Sequence, residues 1–154
     1  MIIGNMRKKI LVIDDDAAVR ESLACALSYE NFLVLPAADG EEALKIASAT
    51  PVDLVLLDLN MPVKSGWDIF ERLTGEHPLL PVIIVTARPN QLFTALGAGA
   101  GALMEKPLDF PELLRTIRRL IAEPTGVRLA RLAGRPTEFD YRPARGEPLV
   151  DKKE

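Results

Sequence analysis

Val52-Asp53-Leu54-Val55-Leu56-Leu57-Asp58-Leu59-Asn60-Met61-Pro62 is an apolar run that ends in a carboxylate. It shows no alternation of apolar and polar positions, so it reads as a strand buried on both faces, as in a parallel sheet covered by helices. Pro62 forbids its continuation. The strand is expected over 53–58, which leaves Asp58 at the carboxyl end of a central strand, where open α/β sheets place their ligands. Taken alone, Asp58 is adequately explained as an ordinary Asp ending a strand. Its weight depends on what the rest of the chain brings beside it.

On the amino-terminal side, Ile10-Leu11-Val12-Ile13 is a short apolar run between Lys8-Lys9 and Asp14-Asp15-Asp16, which suits a buried first strand. Asp16 can cap a helix whose apolar residues Val19, Leu23, Ala26 and Leu27 recur at helical spacing. Phe32-Leu33-Val34-Leu35 forms a second strand. Asp39, with Glu42 three positions on, makes a capping-box arrangement that opens a helix through Ala43, Leu44, Ile46 and Ala47. On the carboxyl side, turn-prone Lys64-Ser65-Gly66 precedes a helix with Trp67, Ile69, Phe70 and Leu73 on one face, stopped by Gly75. Trp67 there has core packing as its simplest role. Pro81-Val82-Ile83-Ile84-Val85 is a fourth strand ending at Thr86, and Pro89-Asn90 starts a short helix through Leu92, Phe93 and Leu96. Beyond the tight connection Gly97–Gly101, Ala102-Leu103-Met104 is a fifth strand running into Glu105-Lys106-Pro107. Asp109 then caps a last helix bearing Leu113, Leu114, Ile117, Leu120 and Ile121. This (βα)5 alternation specifies a parallel five-stranded sheet with helices on both faces.

A chain of 154 residues is one domain's length with an appendage, and 48% hydrophobic with 27% charged residues is a globular profile. A net charge of -3 argues against bulk attraction to nucleic acid. The one cysteine, Cys25, forms no intramolecular disulfide and reads as a small core hydrophobe on the first helix. No export signal and no membrane-spanning run is present, so a reducing cytoplasm is expected. Residues 1–7 form an amino-terminal extension and 8–122 the domain. From Glu123 onward Pro124, Gly126, Gly134, Pro136, Pro143, Gly146 and Pro148 break every pattern. A short helix over Val127–Ala133 is allowed, but the segment 123–154 is expected to be mostly flexible. Its arginines Arg128, Arg131, Arg135, Arg142 and Arg145 are partly offset by Glu138, Asp140 and Glu147.

In this arrangement the first, third, fourth and fifth strands deliver Asp14-Asp15, Asp58, Thr86 and Lys106 to one edge of the sheet. Crowded carboxylates repel, and a hard divalent cation is the usual physical resolution; Mg2+ needs only one or two direct carboxylates, a backbone carbonyl and a substrate phosphate. Asp15, Asp58 and the Asn60 carbonyl are the candidate ligands, with Asp14 acting through water. A carboxylate beside such a metal can attack phosphorus to form an aspartyl phosphate. Thr86 supplies a hydroxyl donor, and Lys106 a mobile charge for a phosphoryl oxygen or the free carboxylate. Each residue has an ordinary structural explanation. Their joint arrival from different strands does not.

The sequence resembles a receiver domain of the two-component response regulator family. The resemblance rests on Ile10 to Asp16, on Asp58-Leu59-Asn60-Met61-Pro62 with Ser65-Gly66, on Thr86-Ala87 and on Lys106-Pro107, and covers about residues 8–122. It implies a flavodoxin-like sheet of order 2-1-3-4-5, Mg2+-dependent phosphotransfer to Asp58 from a histidine kinase or phosphotransfer protein, and a cis Lys106-Pro107 peptide. It also implies that Asn60 and Arg88 influence how long the phosphate lasts.

Two departures from the family pattern matter. Members typically carry Tyr or Phe three residues before the lysine, as part of the switch that moves with the threonine, and here that position is Leu103. The segment from Thr86 to Lys106 is shorter than usual. The expected role is a phosphoacceptor signalling protein, self-catalysis aside not an enzyme, that acts through protein contacts as a stand-alone receiver or relay element, a homodimer being admitted. With no large domain expected after residue 122, DNA is an unfavoured partner; the alternative is a receiver whose tail binds DNA or a protein. A hydrolase of the aspartyl-phosphate type is disfavoured by Asn60, where such enzymes carry a second acid. His77, in Gly75-Glu76-His77-Pro78, is read as an exposed loop residue.

Overall fold

The computed structural model describes residues 6–61 and 66–144. Pro62, Lys64 and Ser65 of the expected turn, Arg145 to Pro148 of the tail and most of the extension 1–7 lie outside the described residues. The expected alternation is present: β1 (Lys9–Ile13), α1 (Ala17–Tyr29), β2 (Leu33–Ala37), α2 (Gly40–Ala49), β3 (Leu54–Asp58), α3 (Gly66–Glu76), β4 (Val82–Thr86), α4 (Leu92–Ala98), β5 (Ala102–Glu105) and α5 (Phe110–Ala122). Two further elements follow, α6 (Thr125–Leu132) and β6 (Asp140–Arg142). The sheet order is β2-β1-β3-β4-β5-β6, and every neighbouring pair is parallel. The order 2-1-3-4-5 is thus as expected, with a sixth strand added on the β5 edge.

Both faces of the sheet are covered, which is why the strands lack alternation. Leu11, Ile13, Val55, Leu57 and Ile84 face a core shared with α2, α3 and α4 through Ala43, Ile69, Phe70 and Ala95. Ile10, Val12, Leu54, Leu56 and Ile83 face the opposite core, closed by Leu27 of α1 and Leu113, Ile117 and Leu120 of α5. Every residue of β3 and β4 is buried. Each fully buried leucine or isoleucine contributes roughly 1.5–3 kcal/mol of transfer free energy.

Local signals set the helix starts. Asp39 accepts from the Glu42 amide at 2.9 Å while the Glu42 carboxylate accepts from the Ala38 amide at 2.8 Å, a reciprocal cap displaced one residue outward on the return bond. Asp16 accepts from the Ala18 and Val19 amides, and Asp109 from the Glu112 amide. Gly66 is required by close approach: a β-carbon there would lie 2.6 Å from the Leu59 Cα, so α3 could not start against the exit of β3.

Three expectations need correction. Cys25 is exposed, because the buried stripe of α1 runs through Leu23 and Leu27 and places the residue between them on the opposite face. β2 runs through Pro36 to Ala37 instead of stopping at Leu35; as a strand bonded, among the described residues, only to β1 it tolerates a residue without an N–H. His77 is half-buried, its Nε2 shielded from solvent without a partner. Between Glu123 and Ala144, the segment expected to be mostly flexible carries α6, which follows α5 directly, and then β6.

Candidate functional site

The carboxyl ends of β1, β3, β4 and β5 converge, as parallel strands require. The chain leaves β1 at Asp14, which is 3% exposed, and Asp15, which is exposed; β3 ends at Asp58, 3% exposed. One carboxylate oxygen from each of Asp14, Asp15 and Asp58 lies within 4.8 Å of the others. From β5, the Lys106 ammonium reaches Asp14 Oδ2 at 3.2 Å and Asp58 Oδ2 at 3.3 Å, bridging residues 92 and 48 positions away in sequence. The peptide between Lys106 and Pro107 is cis.

The Asp14 and Asp58 carboxylates are each held in place by nearby backbone. Asp14 Oδ1 accepts from the Asp16 amide and Asp58 Oδ1 from the Asn60 amide, both at 2.9 Å and two residues on. These Asx-type bonds fix the side-chain rotamers while leaving Oδ2 of each toward Lys106. Arg20 donates to the Asp14 carbonyl at 2.7 Å, tying α1 to the exit of β1. The sequence offered a weak signal for that contact, an arginine one turn into the helix that follows the acidic triplet.

Thr86 is fully buried at the end of β4, its hydroxyl accepting from the Arg88 amide at 2.8 Å and donating to Asn60 Oδ1 at 3.3 Å. The Arg88 guanidinium donates to the Leu59 carbonyl at 3.4 Å. Asn60, Thr86 and Arg88 therefore form one chain of contacts along the rim. Leu103 does not reach the site. It is fully buried in the core beneath it, paired across the sheet with Ile84 on one side and Tyr141 of β6 on the other.

Three carboxylates facing one ammonium leave an excess of negative charge. Burial pushes the Asp58 carboxyl above its usual range and the Asp14 charge pushes it further, against the downward pull of the Asn60 amide and Lys106. For Lys106 burial acts downward, but the charges of Asp58 and Asp14 outweigh it and hold the ammonium above its usual range. The carboxylate oxygens of Asp14, Asp15 and Asp58, at this spacing, suit a hard divalent ion such as Mg2+.

The response regulator receiver domain model matches residues 10–118, more than half of the chain. The chain belongs to the response regulator receiver family. Among relatives, this receiver is 38% identical over 122 residues to the response regulator MprA of Mycolicibacterium vanbaalenii, covering 78% of this chain and 53% of that protein. It is 39% identical over 118 residues to MprA of Mycobacterium tuberculosis, covering 75% and 51%. The receiver thus spans about half the length of the curated relatives it matches. Among solved structures, a CheY-like receiver domain protein from Methanospirillum hungatei superimposes with a TM-score of 0.72 at 30% identity, covering 75% of this chain and 94% of the other. The response regulator TrrA of Thermotoga maritima, solved in complex with Mg2+ and BeF, gives 0.68 at 32% identity, covering 73% and 98%. The family match ends at Arg118, so α6 and β6 lie outside it.

Among the described residues no helix is long and apolar enough to cross a membrane.

Proposed function

We propose that this receiver accepts a phosphoryl group on Asp58 in a Mg2+-dependent reaction, from the phosphohistidine of a histidine kinase or phosphotransfer protein, and signals in the cytoplasm through protein contacts. The observation that carries the reading is the buried Asp58 carboxylate, set among Asp14, Asp15 and Lys106 with its two oxygens engaged by different partners. Asp15, Asp58 and the Asn60 carbonyl are assigned as direct Mg2+ ligands, with Asp14 acting through water. When bound, the cation supplies positive charge for the carboxylates and for the phosphoryl oxygens.

In the reaction, an Asp58 carboxylate oxygen attacks phosphorus, the bond from phosphorus to the donor imidazole nitrogen breaks, and the imidazole leaves as the neutral group after taking up a proton from water. Lys106 exchanges its pairing with the Asp58 carboxylate for a phosphoryl oxygen, which keeps an opposite charge beside the group as its negative charge grows. The Asn60 amide fixes the rotamer of the nucleophile. Thr86, already between Asn60 and Arg88, has a hydroxyl that can turn to a phosphoryl oxygen. Asn60 and Arg88, on the same rim, are assigned control of water access and hence of phosphate lifetime. Leu103 removes the aromatic part of the usual switch, so transmission depends on the Thr86 loop.

The test is incubation with Mg2+ and acetyl phosphate, read by intact mass. One phosphoryl adduct is expected on the wild type, lost in Asp58→Asn and suppressed by EDTA. A wild type that gains no adduct, or an adduct retained by Asp58→Asn, sinks the reading. DNA binding by the described part of the tail is not favoured, because three of its four arginines, Arg128, Arg131 and Arg142, are spent on internal carboxylates and carbonyls.

A further inference from the structure

β5 would be the sheet's open edge were it not covered, and an uncovered edge invites pairing with another strand. The cover is β6, which pairs Ala102 with Asp140, Leu103 with Tyr141 and Met104 with Arg142. Its side chains alternate as a strand demands. Phe139 and Tyr141 pack on the core shared with α3 and α4, while Asp140 turns toward α5, where Thr116 Oγ1 donates to it at 3.3 Å and Arg119 Nε at 3.0 Å. Arg142 Nε donates to Glu112 of α5 at 2.9 Å. The strand is therefore seated by side-chain recognition at consecutive positions, although only three residues form the ladder.

A further fastening lies on β5 itself. The Glu105 carboxylate accepts from the Tyr141 hydroxyl through Oε2 at 3.0 Å and from the Ala144 amide through Oε1 at 3.2 Å. Glu105 is also the register partner of Thr86 and the covalent neighbour of Lys106, whose amide donates to the Thr86 carbonyl at 2.8 Å. The fastening and the acidic site thus share one backbone segment, Glu105-Lys106, with the side chains of the two residues serving different masters.

We infer that residues 139–144 are a releasable strap over the β5 edge, and that modification of Asp58 loosens it through Glu105. The inference rests on Asp58 being the phosphoacceptor. In the structure described, Lys106 is held by Asp14 and Asp58 and Thr86 by Asn60 and Arg88. A phosphoryl group on Asp58 gives both side chains a new partner, and in this inference the backbone at the ends of β4 and β5 moves with them. The two hydrogen bonds on Glu105 are set for the present position of that segment, and such bonds weaken steeply once their geometry is lost. Coupling runs both ways by linkage: if modification loosens the strap, a weaker strap favours modification.

The experiment uses the full chain, with hydrogen exchange read by mass spectrometry over residues 137–144 and 102–106, in Mg2+ alone and in Mg2+ with beryllofluoride. Adduct formation is verified separately by fluorine NMR and by its loss in Asp58→Asn. Exchange at the 140–142 amides is expected to accelerate about tenfold on adduct formation, within the range of ordinary coupling. Tyr141→Phe, which keeps the ring and removes the bond to Glu105, is expected to tighten apparent beryllofluoride affinity about fivefold. Glu105→Gln, which weakens both fastenings, should act in the same direction. A verified adduct with unchanged or slower exchange at 140–142, or an unchanged affinity in both variants, overturns the strap while leaving the phosphoacceptor reading intact. No adduct at all overturns the phosphoacceptor reading, and the strap falls with it.

Discussion

Two clusters of charge sit at opposite sides of β5, and they are built on opposite plans. At the carboxyl edge of the sheet, Asp14, Asp15 and Asp58 face Lys106, so negative charge is in excess. Along α5 and the tail, Glu112, Glu123, Glu138 and Asp140 meet Arg119, Arg128, Arg131 and Arg142, and the signs balance, with Arg115 on the exposed rim beside Glu112. Glu123 is the centre of that network. Its side chain is 5% exposed and lies against the guanidiniums of Arg119, Arg128 and Arg131. A balanced cluster needs nothing from outside and serves to hold α6 and β6 against the domain. The unbalanced one offers oxygen donors to a cation, and it is where the proposed chemistry is placed.

The largest expected effect breaks the balanced cluster. Glu123→Ala leaves buried guanidiniums uncompensated and should cost about 3 kcal/mol, read as a lower urea midpoint. If the loss is negligible, the network is no fastening. Next comes the unbalanced cluster. Mg2+ at a hundredfold excess over its dissociation constant should stabilise the protein by about 2.7 kcal/mol, and Asp15→Asn or EDTA should erase the rise in melting temperature. An equal Mg2+ effect in Asp15→Asn would take that residue out of the metal site.

A smaller effect, of opposite sign, is expected at the acceptor. Asp58 has its folded pKa raised, chiefly by burial, above the 3.8 of a free Asp. Its ionisation therefore disfavours the folded state at neutral pH, and the penalty vanishes as pH falls below that value, where folded and unfolded states are both protonated. Without Mg2+, the ionisation contribution makes Asp58→Asn stabilising relative to wild type at pH 7 and progressively less so toward acid. A constant gain across that range in a pH series of thermal melts would show that ionisation is not its cause. The smallest effect belongs to neither cluster: the exposed pair Arg118–Glu30, at 3.0 Å, should contribute at most about 0.5 kcal/mol, checked by Arg118→Ala.

How much of this was legible in the sequence depends on the range of the forces involved. The strand ending at Asp58 was readable because burial on both faces demands an uninterrupted apolar run. The cap on α2 was readable because Asp39 and Glu42 settle it between themselves. Cys25 was misjudged although the helix was not, because the phase of α1 is chosen by what Leu23 and Leu27 find across the interface. β6 escaped notice for a plain reason: Asp140-Tyr141-Arg142 has no apolar run, lies between Pro136 and Pro143, and becomes a strand only because β5 offers an edge and α5 offers Thr116 and Arg119. Glu105, central to the strap, carried no sequence signal at all.

The sequence by itself determined which residues stand at the carboxyl ends of β1, β3, β4 and β5, because those boundaries follow from hydrophobic pattern and capping over a few neighbours. Tertiary structure alone decided that Lys106 lies within 3.3 Å of Asp58, 48 residues away, and that the tail is seated on β5. Electrostatic interaction and strand pairing depend on distance in space, and the crossovers of the sheet set that distance without leaving a trace in the local pattern.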